Sequence, residues 1–418
     1  MSRRRGGIAL GAALAIAVTP VSGWAQALAV RGEVVHTMAG EPIPDGVVLI
    51  RDGKIERVGP ASSVRVPEGV RVLSAKVVTP GLIDARATAG LTGIYNVPAD
   101  QDVNETTGQN QAEIRAFDGF NPREELLDYL LSLGITTVHT GPAPGNPIAG
   151  RSAIFKTAGT SVAEMVVDTV AMMVFSLGEA PKETYGRERK PPTTRMKTAA
   201  MIRAALIEAQ AYAGKWAEWE RARRDPAKRP ERDLRTEALA QVLAGEVPAL
   251  FIAHRADDLL TALRLAREFG LKAVLDGASE AYLVRDAIRA AGVPVVVGPT
   301  MIRATPGETE NATFENAALL HAAGIPIAIQ SGYEGYVPKT RVALWEAAVA
   351  VSNGLPLEAG LRALTIDAAR ILGVERRLGS LEPGKDADLA LFDGDPFEYA
   401  SHVVAVVVNG RVASERAR

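Results

Sequence analysis

The chain has 418 residues, 47% hydrophobic and 23% charged, a balance that supports a sizeable folded core and excludes disorder over most of its length. Its formal charge of −2 gives no overall basic surplus for nucleic acid. The absence of cysteine excludes disulfides, thiolate metal sites, iron–sulfur clusters and cysteine nucleophiles, and the 5 histidines cap any imidazole metal site.

The chain opens with Arg3, Arg4 and Arg5, an uncharged run from Gly6 to Val18, then Pro20 and Ala25-Gln26-Ala27. A basic region, a short apolar region and an A-x-A pattern predict a signal peptide over residues 1–27, cleaved to leave Leu28 first. Spanning a bilayer takes roughly 20 apolar residues, so an uncleaved anchor is the weaker reading. Ser2-Arg3-Arg4 hints at twin-arginine export, although Gly6 and Gly7 follow where bulky residues are expected. Cleavage removes three arginines and no acids, giving a mature charge of −5. The expected location is periplasmic or secreted, with no membrane association after cleavage.

Residues 28–78 read as short strands. Leu28–Gly32, Gly46–Ile50 and Lys54–Val58 are rich in β-branched residues, and Asp52-Gly53 between the last two is a hairpin signal. Ala387–Phe392 and Val403–Val408 repeat that texture at the other end. Residues 28–78 and 380–418 are therefore expected to form one small β-sandwich built from both chain ends.

Between them, apolar runs recur at Lys76–Ile83, Ile135–His139, Ala153–Thr157, Ala249–His254, Ala273–Leu275, Pro294–Val297 and Ile325–Gln330. Helical stretches separate most of them. Asn121-Pro122 opens one and Gly134 closes it, and Gly270 closes another that carries Leu259, Leu260 and Leu263. Alternating strand and helix predicts a parallel sheet, here an α/β fold with a (β/α)8 TIM-like barrel over residues 79–379. No glycine-rich nucleotide loop follows any strand. Residues 215–236, charged and carrying Trp216 and Trp219, offer a nucleic-acid patch as one reading, and a solvated helix with Glu218, Glu220 and Glu231 balancing its cations as the favoured one.

Val78-Thr79-Pro80-Gly81-Leu82-Ile83-Asp84-Ala85 resembles the first barrel strand of the amidohydrolase superfamily, near its imidazolonepropionase-like and prolidase-like members. Asp52-Gly53-Lys54-Ile55, Asp102–Glu105, Gly134–Val138, His254–Asp258 and Gly379–Leu389 agree in the same order. The resemblance implies a metal-dependent hydrolase of C–N bonds other than peptide bonds, with zinc or another divalent ion at the barrel mouth. There the metal lowers the pKa of bound water and polarises a carbonyl.

The ligand pattern that the resemblance implies is mostly replaced. Its His-x-His reads Arg86-Ala87-Thr88 and its fifth-strand phrase reads Ile252-Ala253-His254. The sixth-strand phrase begins Asp276-Gly277, without histidine, and the eighth-strand Thr-Asp reads Ser331-Gly332. Arg86 cannot ligate a cation. It either pairs with Asp84, Asp118 or Asp276 in the metal's electrostatic place or reaches solvent. His139, ending the second strand run, reads as a packing or mouth-lining histidine. Lys156 matches the place of a carboxylated bridging lysine in some relatives, or is an ion-paired lysine. Ser152 and Ser331 lack the Gly-x-Ser-x-Gly elbow of a nucleophile.

The pocket candidates are thus Arg86, Thr88, His139, Lys156, His254, Asp276 and Ser331, with no assigned catalytic residue, no metal ligand set and no cofactor expected. The leading expectation is a degenerate amidohydrolase-like binding or partner subunit. It would take a small-molecule ligand, or pair with itself or an active paralogue. The alternative is an active hydrolase of a cyclic amide, dipeptide or similar substrate with an atypical metal site. A purely structural exported protein is the third reading.

Overall fold

The computed structural model describes residues 27–95, 97–333 and 342–415, so the expected leader lies outside the described residues except for Ala27. The chain first lays down β1 (Ala27–Val35), β2 (Ile43–Arg51), β3 (Lys54–Pro60) and β4 (Arg71–Pro80). The β2–β3 turn places Asp52 at φ 51° and Gly53 at φ 79°, the pair of positive angles that matches strand twist in a tight hairpin.

The apolar run Lys76–Ile83 spans a change of layer. β4 ends at Pro80 and β5 (Leu82–Ala87) begins the barrel. Gly81 sits at the crossing, where a Cβ would press into the Thr136 side chain, and its N–H donates to the Asp388 carbonyl at 2.8 Å. The barrel continues with β6 (Ile135–Thr140), β7 (Ile148–Arg151), β8 (Ala153–Lys156), the short β9 (Val166–Asp168) and β10 (Met173–Ser176). Then come β11 (Ala249–Ala253), β12 (Ala273–Gly277), β13 (Val295–Val297) and β14 (Ile327–Ile329).

The barrel differs from the all-parallel expectation at one place. β8 runs antiparallel to β6 and β7 runs antiparallel to β10, while the β5–β6 and β10-to-β14 pairings are parallel. Residues 141–147 join β6 to β7, and a parallel crossover needs about a dozen residues or more, so the chain returns antiparallel. β7 and β8 are one extended segment that changes partners at Ser152, whose backbone bonds Met172 and Ala171. With β7 and β8 counted as one stave and the short β9, which pairs with β8 alone, left outside the ring, the barrel has eight staves. The ring closes where Gly332 N–H donates to the Arg86 carbonyl at 3.0 Å. β7 and β10 have no counterpart among the apolar runs read from sequence.

Two helix boundaries also move. The helix expected from Asn121-Pro122 begins at Glu125, because Asn121 Oδ1 instead accepts the Arg123 N–H at 3.0 Å in a local turn. The charged stretch 215–236 is not one helix. A 27-residue helix, Arg195–Arg221, ends within it, and another, Leu234–Leu243, starts near its end.

The chain returns through β15 (Leu389–Phe392), β16 (Val403–Val408) and β17 (Arg411–Ser414). β15 pairs with β4, so the two chain ends form one hydrogen-bonded seven-stranded sheet, β17-β16-β15-β4-β1-β2-β3, which folds over so that the β2–β3 turn at Gly53 meets the β16–β17 turn at Asn409-Gly410, as the expected sandwich of both chain ends requires. The central β4 is the reason: it accepts β1 on one edge and β15 on the other.

Lys156 joins this sheet to the barrel and is not at the mouth. Antiparallel β8 carries it opposite Thr137, toward the start of β6. Its ammonium, 1% exposed, pairs with Asp388 and lies 3.4 Å from Asp386, which also binds Lys54 at 2.5 Å and Arg377 at 3.0 Å. Removing one member of a buried ion pair strands the others without compensation. Lys156→Ala is therefore expected to cost about 3 kcal/mol or more of unfolding free energy, read by urea titration. Lys54→Ala, whose side chain is half exposed, should cost less than 1 kcal/mol or about that.

Candidate functional site

The C-terminal ends of β5, β12 and β14 meet around Arg86. Its side chain is 3% exposed, so it does not reach solvent. Nε lies 3.4 Å from Asp276 Oδ2, Nη1 donates to the Ala87 carbonyl at 2.9 Å, and Nη2 donates to the Pro142 carbonyl. Asp276 Oδ1 accepts from Gln330 Nε2, which also donates to the Val296 carbonyl at 3.0 Å. Asp118, the third partner considered from sequence, pairs instead with Arg115 on the surface. Gln330 was missed by sequence reasoning; it precedes the recognisable Ser331-Gly332 by one residue and no motif marks it.

Asp84 ties β5 to β14. Its Oδ1 accepts the Arg86 N–H at 3.2 Å and the Ser331 N–H at 3.0 Å, while its other oxygen is buried with no partner among the described residues. Burial pushes Asp84 up to about 6, against the opposing pull of the Ser331 hydroxyl, the Ser331 and Arg86 amides and the Arg86 charge. Ser331 thus acts on Asp84 through both hydroxyl and backbone, and Thr88, two residues after Arg86, is buried with its carbonyl accepting the Thr92 hydroxyl at 3.3 Å.

His139 is wholly buried. Its Nδ1 is 2.7 Å from the Ala85 carbonyl, so that nitrogen carries the proton and Nε2 accepts from Ser152 Oγ at 2.7 Å. Ser152 Oγ also accepts the Met172 N–H at 3.1 Å. This serine–histidine contact braces the segment where β7 becomes β8. Burial holds His139 at about 3, with Arg86 adding to the shift. His254, after β11, bonds Ser279 Oγ through Nδ1 at 2.8 Å, and burial lowers it to about 4. The structure thus gathers Arg86, Asp276 and Ser331 with Asp84 and Gln330, places His139 behind them and His254 on the neighbouring strand, and removes Lys156.

The amidohydrolase family model matches residues 331–413. Among solved structures, an amidohydrolase from Thermotoga maritima MSB8 is 33% identical, superposes with a TM-score of 0.87, and aligns over 93% of this chain and 100% of its own. This chain belongs to the amidohydrolase family. It is also 26% identical to an imidazolonepropionase of Solibacter usitatus, over 85% of this chain and 86% of that one. The amidohydrolase tasK of Hapsidospora irregularis is 26% identical over 91% of this chain, which spans only 42% of that larger protein.

An amidohydrolase barrel implies a divalent metal at its mouth, and the residues here do not fit one. The permanent cation of Arg86 lies against Asp276, where it would repel a dication. A Cβ on Gly277 would lie 2.8 Å from His254 Cε1, and one on Gly332 would lie 2.6 Å from Pro299 Cγ. Both glycines have positive φ, 80° and 77°, so ligand-bearing side chains at these two slots would be strained as well as crowded. Among the described residues no group of three His, Asp or Glu is arranged to hold a metal ion.

Titration of this cluster is measurable as stability. Asp84, raised above its unfolded value near 3.8, contributes stability that is present at low pH and lost as pH rises toward 6. His139 and His254, lowered, act oppositely, losing stability as pH falls below 6.5. The net curve mixes both signs, but the difference between the parent and Asp84→Asn isolates the carboxylate. That difference should change by about 2 kcal/mol between pH 4 and 7, measured by urea unfolding.

Proposed function

We propose that this amidohydrolase-family chain is an exported protein that has given up metal-dependent hydrolysis at the barrel mouth and serves as a binding or partner subunit. The observation that carries the reading is the guanidinium of Arg86, buried and engaged with Asp276 where relatives' first-strand ligand would stand. The scaffold around it is kept: the β5 phrase is buried, the Gly379–Leu389 phrase is mostly buried, and the His254–Asp258 phrase is half-buried around Asp258. Arg86 gives donors to the Ala87 and Pro142 carbonyls and lays its charge against Asp276, so a ligand would meet the loops above the cation before the guanidinium itself. Such loops suit a small molecule, a second copy of the chain, or an active paralogue. A hydrolase of a small cyclic amide or dipeptide is the second reading, favoured by His254, the one imidazole kept from the expected ligand phrases.

Elemental analysis after dialysis tests the first reading against the second. Less than about 0.1 transition metal per chain is expected, since one imidazole cannot hold an open zinc site. Near-stoichiometric zinc would establish the hydrolase reading instead. Arg86→Ala should lower stability by about 3–5 kcal/mol, because Asp276 is left buried without its cation. An unchanged unfolding midpoint would remove the electrostatic role given to Arg86. Export is read separately: mass spectrometry of the protein from its host should find Leu28 at the N-terminus, and an intact Met1 would count against secretion.

A further inference from the structure

The helix Arg195–Arg221 is longer than the barrel needs. Its buried residues are Thr198, Ile202, Ala205, Leu206 and Ala209, and nothing beyond Ala209 is buried. The twelve residues that follow extend roughly 18 Å at 1.5 Å each, ending in a turn before the chain comes back. At that turn, residues 221–229 read Arg-Ala-Arg-Arg-Asp-Pro-Ala-Lys-Arg, five cations against one acid. All but Asp225 are exposed. The turn carries +4 on a chain whose total is −2, which leaves −6 on everything else.

The turn is built rather than loose. Trp216 and Trp219 meet edge to face with centroids 5.4 Å apart, and Trp219 Nε1 donates to the Asp225 carbonyl at 2.7 Å. The Arg229 guanidinium lies 5.9 Å from both rings and Arg224 lies 5.9 Å from Trp219. Arg224 also reaches Glu220 at 3.5 Å, whereas Arg221, Arg223 and Lys228 show no ion pair among the described residues. Three cations are thus left facing outward on a rigid aromatic base.

We infer that this helical turn docks the protein on an anionic phospholipid surface. A concentrated cation at the end of a projection, opposed by a negative body, orients the molecule turn-first in the field of such a surface. A planar phosphate surface fits a single compact contact. Nucleic acid fits it less well: the cations do not form a track, and the arginines already cover the tryptophan faces that bases would stack on. The contact proposed is electrostatic and carried by the turn; no helix among the described residues is long and apolar enough to cross a membrane. It departs from the sequence expectation of no membrane association, which considered apolar segments and not a local charge.

Co-sedimentation of the purified full chain with vesicles tests the inference. Binding is expected to phosphatidylglycerol–phosphatidylethanolamine vesicles at 0.1 M salt, with release at 0.5 M salt. Phosphatidylcholine vesicles report any charge-indifferent contribution from the apolar N-terminal stretch. The variant R221Q/R223Q/K228Q spares the stacked arginines, and unchanged circular dichroism should show that it folds. At about fivefold per cation it should partition roughly 100-fold more weakly onto the anionic vesicles. Equal binding of parent and variant would overturn the inference, as would equal binding to phosphatidylcholine. So would absence of vesicle binding, whether or not duplex DNA is retained.

Discussion

A guanidinium removed from water must have its charge and its donors matched, and the barrel mouth is arranged around that requirement. Arg86 draws on three separate pieces of chain: Asp276 from β12, its neighbour Ala87 on β5, and Pro142 from the loop after β6. Asp276 is fixed by Gln330 from β14, and Asp84 spans from β5 to the backbone of Ser331. These contacts lie where the ring of strands closes. Burial favours the neutral forms of the carboxylates, and the one fixed cation opposes it. The pair need not exceed a well-packed apolar core in stability; what it supplies is a definite register between β5, β12 and β14.

Much of the architecture was legible because its signals are local. Asp52-Gly53 specified a hairpin by backbone geometry alone, and Gly134 and Gly270 ended helices by adopting φ 84° and 66°. The barrel followed from repeated strand and helix runs. The reversed stave did not, since direction is invisible to hydrophobic pattern; only the seven-residue connection after β6 carries it. Lys156 was misplaced for the same reason. With β8 parallel it would end at the mouth, and with β8 antiparallel it ends against Asp386 and Asp388.

The site was legible as a set of motif positions and not as a set of contacts. Ordered phrases located Arg86, Ile252–His254, Asp276 and Ser331-Gly332, yet nothing in them distinguished Asp276 from Asp118 as the partner of Arg86. That choice depends on which strand ends are adjacent in the closed ring. Gln330 and the Ser331 amide were invisible because one is an unmarked amide and the other a backbone group. His139 shows the reverse case. A histidine at the end of a strand beside a serine has the outline of a catalytic pair, but full burial and a backbone carbonyl on Nδ1 make it a brace.

Reversal of the stave and the choice of an arginine are linked through residues 141–147. Pro142, Pro144 and Pro147 bring carbonyls into the interior without amide donors, and all of this loop except Pro144 is buried. A buried, donor-poor loop leaves acceptors to be satisfied by something that only donates. Arg86 does so at Pro142, and Tyr185 does so nearby by donating to the Asn146 side chain. The short loop also forces β7 and β8 to run backward, which sets Ser152 where it can meet His139. Position 141 shows how closely the parts are fitted, since a Cβ there would lie 2.6 Å from Ser152 Cβ and 3.3 Å from Arg86 Nη1. The cation, the proline loop and the reversed strand therefore form a single packing unit. A histidine at position 86 would have to satisfy the loop's acceptors as well as the carboxylate's charge, so the arginine is held in place by the backbone around it as much as by Asp276.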